Sequence, residues 1–224
     1  MNEASRWRFA LAPYEDDEWE EQIAFGGFVM HTSTFLVATM ERYLREVLED
    51  HRTALDPQMR LSSLLHAQSL VGEDLVVRWR DRASAYPTAL AEAMMRDHLA
   101  FDRFGYAAAM FAARDDLLPL YDLLCVTERQ ILGVLLGLNR LYLPTPALKQ
   151  ADGLIAEMRV APPDLARRLK AVFRLPPVDG VATLHAVCED VLALVEAHLP
   201  GVDTTQARAG LAHQRGVWDQ PPQM

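Results

Sequence analysis

From Leu117 to Tyr142 the chain carries apolar side chains at helical spacing on every side: Leu117, Leu118, Leu120, Tyr121, Leu123, Leu124, Val126, Ile131, Leu132, Val134, Leu135, Leu136 and Leu138. A helix that is apolar all round belongs in the middle of a bundle, so the rest of the chain must supply the helices that surround it. Pro119 falls in its first turn, where the missing N–H does no harm. Gly133 and Gly137, four apart, leave one face low enough for a neighbouring backbone to come close. Asp122, Glu128, Arg129, Asn139 and Arg140 lie on the same segment and require partners or a solvated cavity, because an unpaired buried charge is costly.

The flanking sequence meets that demand. Met40 to Leu48 shows a helical stripe at Met40, Tyr43, Leu44, Val47 and Leu48. Asp56-Pro57 breaks it, and Met59 to Leu70, Leu75 to Ser84, Thr88 to Leu99 and Phe104 to Arg114 are predicted helices. Tyr86-Pro87 is a junction, since a residue before proline avoids helical dihedrals. Beyond the turn at Pro144-Thr145-Pro146, the pairs Pro162-Pro163 and Pro176-Pro177 punctuate three further helices. The last strong one, Val181 to Leu199, places Leu184, Val187, Cys188, Val191, Leu192 and Val195 on one face.

The start of the chain is different. Trp7, Arg8 and Phe9 suggest a short strand within Met1 to Pro13. Glu15-Asp16-Asp17-Glu18 suits the first turn of a helix running to Ile23, because carboxylates there favour the helix dipole. Gly26-Gly27 turns the chain into a strand through about Phe35. The expected architecture is mainly α: a helical bundle with a small β element near the N-terminus. It divides into a small α/β segment (1–38), the bundle (39–202) and a partly frayed tail (203–224).

Composition narrows the function classes. A net charge of −9 argues against a nucleic-acid partner, which would demand a basic face. The longest uninterrupted apolar run, Ile131 to Leu138, is far too short to span a bilayer. Cys125 and Cys188 sit within apolar helical patterns, and without a signal peptide they read as reduced core residues of a cytoplasmic protein. The seven histidines and two cysteines show no ligand spacing, so neither a metal nor a cofactor is expected.

The polar exit of the apolar helix is where binding chemistry is expected. Leu138-Asn139-Arg140-Leu141-Tyr142-Leu143-Pro144 is followed by Lys149. Arg140 and Lys149, joined by Arg114, would converge on an anionic small molecule or nucleotide, with Asn139 and Tyr142 beside them. Arginine offers a planar fork to a phosphate and lysine a mobile point charge. The plainer alternative is a set of internal ion pairs and a capped helix end.

Asp17-Glu18-Trp19, Gly72 through Trp79, Tyr86-Pro87, Arg114-Asp115, Leu138 to Pro144 and Lys149 occur in an order that resembles the post-catalytic, helical C-terminal region of an uncharacterised bacterial nucleotidyltransferase family. That family belongs to the kanamycin-nucleotidyltransferase-like superfamily, and the resemblance covers roughly Trp7 to Leu199. It implies contacts to a nucleotide or another anionic substrate. Family enzymes hold two magnesium ions on an Asp-x-Asp pair that follows a Gly-Ser turn, carboxylates this chemistry requires. This chain contains no Gly-Ser. It has no paired aspartates on a convincing strand before the helices, Val29 to Ser33 offers no third carboxylate, and Gln150 stands where the pattern has tryptophan. The expectation is therefore a ligand- or partner-binding helical subunit that supplies contacts to a separate catalytic part, autonomous transfer being improbable. A second copy could pair through the β-rich edge after Gly26-Gly27.

Two other readings are open. An enzyme of different chemistry could use His31, His98 with Asp102 four residues on, or Glu128, a His with a carboxylate at that spacing being able to act as an oriented base. A helical toxin-type ribonuclease pattern, Arg then His after a short gap, occurs three times: Arg45…His51, Arg60…His66 and Arg208…His213.

Overall fold

A computed structural model describes residues 5–10, 18–25, 27–145 and 149–213. Three strands come first: β1 (Ser5–Ala10), β2 (Glu18–Phe25) and β3 (Phe28–Phe35), joined as an antiparallel sheet in the order β1-β2-β3. Phe25 pairs with Phe28, and Gly27, which precedes Phe28, has φ +85°. A connection this short fixes the register of the strands on either side. The helix expected to run from the acidic stretch to Ile23 is instead strand β2. Hydrogen bonds to strands on both sides outweigh the local dipole argument, because strand preference depends on partners more than on the residues themselves. The described residues before α1 opens at Val37 thus form strands rather than a helix, and Glu15 to Asp17 lie outside them.

Ten helices follow among the described residues: α1 (Val37–Leu48), α2 (Leu55–His66), α3 (Glu73–Ser84), α4 (Thr88–His98), α5 (Asp102–Ala113), α6 (Leu117–Asn139), α7 (Ala151–Glu157), α8 (Leu165–Val172), α9 (Pro177–His198) and α10 (Thr205–Ala212). The protein is mainly α, as its periodicity predicts. Asp56-Pro57 does not separate two helices but opens α2, where proline fits the first turn. The start of the tail is helical, as α10, and the end expected to be frayed lies outside the described residues. Helix α10 packs on α5 and α9, Leu211 is fully buried, and Arg208 pairs with Glu189 and Glu196, both at 2.7 Å.

The apolar residues form two cores. One gathers Met40, Tyr43, Leu44, Val47, Leu61, Trp79 and Leu90 from α1 to α4. The other gathers α5, α6, α8, α9 and α10 around Leu124, Ile131, Leu135, Leu184 and Val191. Helix α4 belongs to both, giving Leu90 and Ala91 to the first core and Met94 and Met95 to the second. The close approach expected at the α6 glycines is made by α4. A Cβ at Gly137 would fall 2.6 Å from the Met95 methyl and 2.8 Å from Met94 Cβ.

Helix α6 ends three residues before the predicted Tyr142. Arg140 takes left-handed dihedrals (φ 55°, ψ 42°), its N–H donates to Gly137 O, and Leu141 N–H donates to Leu136 O at 2.9 Å. These two bonds form a Schellman cap, which satisfies carbonyls a helix end otherwise leaves open.

Candidate functional site

The residues that leave α6 are held down one by one. Asn139 is saturated: its Nδ2 donates to Leu135 O (2.7 Å) and Val160 O (2.8 Å), while its Oδ1 accepts from the N–H groups of Arg159 (2.7 Å) and Val160 (2.8 Å). It clips the end of α6 to the segment after α7. The Arg140 guanidinium reaches back to α4, donating to Tyr86 O at 3.2 Å and Thr88 Oγ1 at 3.1 Å. Tyr142 is buried in the first core, its hydroxyl donating to Ala83 O at 2.6 Å and its ring 5.0 Å from that of Tyr86. Burial pushes both phenol pKa values far above their ordinary value, so each stays neutral, Tyr142 as a donor to Ala83 and Tyr86 with no hydrogen-bond partner among the described residues. Leu143 N–H donates to the buried Gln58, whose amide also bonds Thr53 O.

These contacts recast the expected cluster. Asn139, Arg140 and Tyr142 spend their polar groups on the protein itself. Arg114 caps α5 just before α6 begins, while Arg140 follows the end of α6. The 23 residues of α6 between them span about 34 Å, so Arg114 cannot share a ligand with Arg140 or Lys149. Arg114, Arg140 and Lys149 are all exposed, but of the three only Lys149 lines a cleft beside the exit segment, and it has no salt-bridge partner among the described residues.

That cavity lies between α6, the exit segment and α7. Its volume is about 250 Å³, and its wall includes Leu132, Leu136, Leu143 and Leu154. Arg129, Lys149 and His98 provide its basic groups, with no carboxylate among the described lining residues. Arg129, Leu132 and Leu136 lie at i, i+3 and i+7 on one stripe of α6, a spacing that was legible but whose facing partner was not. His98 is half-buried and desolvation lowers its pKa, against an opposing pull from Asp97, so its imidazole is neutral at neutral pH. A larger cavity of about 450 Å³ between α4, α5 and the approach to α10 mixes Arg96 with Glu92, Asp102 and Asp203 and shows no preference of sign.

On the adjoining stripe, Glu128 is only 5 % exposed and its Oε1 has no hydrogen-bond partner. Burial raises its pKa to about 7. It lines a separate pocket of about 160 Å³ beneath α7 and α8.

The other catalytic candidates are dispersed. His98 ends α4 and Asp102 begins α5, so the two are not one turn apart on a single helix, and they line different cavities. His31 is exposed on β3, within 3.3 Å of the Gln22 amide. Each arginine–histidine pair is occupied separately. Arg60 donates to Ser33 while His66 bonds Ser62 O, and Arg208 is ion-paired while His213 stacks on Tyr106. Arg45 lies on exposed α1 surface and His51 beyond that helix's end. Among the described residues, no three His, Cys, Asp or Glu side chains are grouped to hold a metal ion, and no helix is long and apolar enough to cross a membrane. No protein-family model, curated protein or solved structure matches this chain.

Proposed function

We propose that this protein binds an anionic small molecule with an apolar or aromatic body in the cleft between α6, the exit segment and α7. The observation that carries the reading is an apolar wall beside two cations, Arg129 and Lys149, that have no ion-pair partner and no lining carboxylate among the described residues. Ligand sites are commonly concave and apolar, with a few polar groups fixing orientation. Here the wall takes the body, the two cations take the negative group, and neutral His98 offers a hydrogen bond without adding charge.

A nucleotide is the version that the nucleotidyltransferase resemblance implies. In that version the cleft contributes substrate contacts to a separate catalytic part that brings the magnesium carboxylates. A cavity of about 250 Å³ suits a single ring and one anionic group, the remainder of a nucleotide staying in solvent.

Calorimetric titration with AMP and with ATP, each with and without magnesium, tests the reading. Binding is expected without magnesium, and Lys149→Ala or Arg129→Ala should each weaken it about tenfold with no loss of thermal stability. Binding that appears only with magnesium, or that survives both substitutions, overturns it.

A further inference from the structure

The buried carboxylate of Glu128 belongs to none of the contacts above. Its pocket is walled by Leu132, Ile155, Leu169 and Phe173, with Asp152 of α7 and Lys170 of α8, which are ion-paired to each other, at its mouth. An apolar pocket of about 150 Å³ accepts a benzene-sized body and is a poor place for water, which needs two to four polar partners. Here the pocket holds about 160 Å³, and the one deeply buried polar group among its described lining residues is an acceptor without a donor.

We propose that this pocket is a binding site for a small monoamine, whose ammonium donates to Glu128 and whose apolar body packs against Leu132, Ile155, Leu169 and Phe173. Charge supports the assignment. The lining residues carry two carboxylates, Glu128 and Asp152, against one ammonium, Lys170, so the ionised site has a deficit of one positive charge. A monocation fills it. A second anion would meet Glu128 and be repelled, which separates this site chemically from the Arg129–Lys149 cleft on the other side of Leu132 and Ala151. Cys125, one turn back on α6, is half-buried with its pKa raised by burial first and Glu128 second, so it stays a neutral thiol and does not compete for the cation. Phe173, whose ring lies 6.1 Å from that of Tyr121, supplies the one aromatic side chain among the pocket's described lining residues. This site stands independently of the anion cleft.

The test titrates the full chain with benzylammonium and with its uncharged isostere, benzyl alcohol, following the methyl resonances of Leu132, Ile155 and Leu169 by NMR. Saturable binding of benzylammonium is expected, at least tenfold tighter than that of the alcohol. Glu128→Gln, which keeps size and folding, should erase that preference. Ala166→Leu, which fills the pocket from α8 without touching the carboxylate, should abolish binding of both. Equal binding of amine and alcohol, an amine affinity unchanged in Glu128→Gln, or no saturable shift at all because Lys170 turns inward to satisfy Glu128, each overturns the assignment.

Discussion

The His98 ring occupies the space a side chain at residue 133 would need: a Cβ on Gly133 would fall 2.4 Å from His98 Cγ and 2.5 Å from its Nδ1. The end of α4 therefore rests on the backbone of α6, and the imidazole can line the cleft only because position 133 has no side chain.

Gly133→Ala should accordingly destabilise the protein, although alanine is the better helix former. Overpacking at a helix contact costs about 1–3 kcal/mol, against about 1 kcal/mol gained in helix propensity. The expected net loss is about 1 kcal/mol, a fall of about 2–4 °C in Tm for a chain of this size. The double variant His98→Ala/Gly133→Ala should be more stable than the sum of the two single changes predicts. Urea titration of the four proteins checks this; strict additivity would mean that ring and backbone do not compete.

Glu128 should make stability depend on pH in the direction opposite to an ordinary salt-bridged carboxylate. Burial raises its folded pKa to about 7 from an ordinary 4.5, so the folded state holds the proton more tightly than the unfolded chain does. Stability from this group is full below about pH 4.5, declines as pH rises, and is lost by about pH 7, a change on the order of 3 kcal/mol. In Glu128→Gln that decline should vanish. Urea midpoints measured at pH 5 and pH 8 decide it, and parallel behaviour of the two proteins would rule out the assignment.

Asn139→Ala removes four hydrogen bonds at once and leaves the N–H groups of Arg159 and Val160 without their acceptor. A stranded, partly buried donor costs about 1–3 kcal/mol, a cost that falls on Val160 while the exposed Arg159 N–H is rehydrated, so a total loss of about 1–3 kcal/mol is expected. Amide exchange at Val160 should accelerate first, while Leu143, whose N–H is held separately by Gln58, stays protected. Uniform acceleration across the protein would show that Asn139 is no local clip.

Much of this architecture was legible residue by residue. The α9 stripe from Leu184 to Val195 is buried as its spacing predicts, and the paired glycines of α6 mark a real close approach. What escaped were the partners of polar groups. Arg140 looks like a ligand-binding cation until Tyr86 O, 54 positions away, claims it. Arg114 seemed to belong with it because a list of residues hides the length of the helix between them. Strand β2 was missed for the same reason, since its carboxylates carry a local signal and its hydrogen-bonding strands do not. Arg129 and Glu128 were flagged as charges in need of company, but only the packing of α7 and α8 separates the one that meets an open cleft from the one left alone.

The position of Tyr142 has a consequence for the chain as it is made. The first core draws on α1 to α4, yet one of its buried rings comes from beyond the end of α6, tilted against Tyr86 and bonded to Ala83. A ribosome that has delivered residues 37–98 has therefore exposed four helices whose shared interior still lacks a wall. Domains ordinarily fold as they emerge, N-terminal parts first. Here the early half must wait, apolar and open, until the longest helix has been synthesised and its exit has turned back to close it.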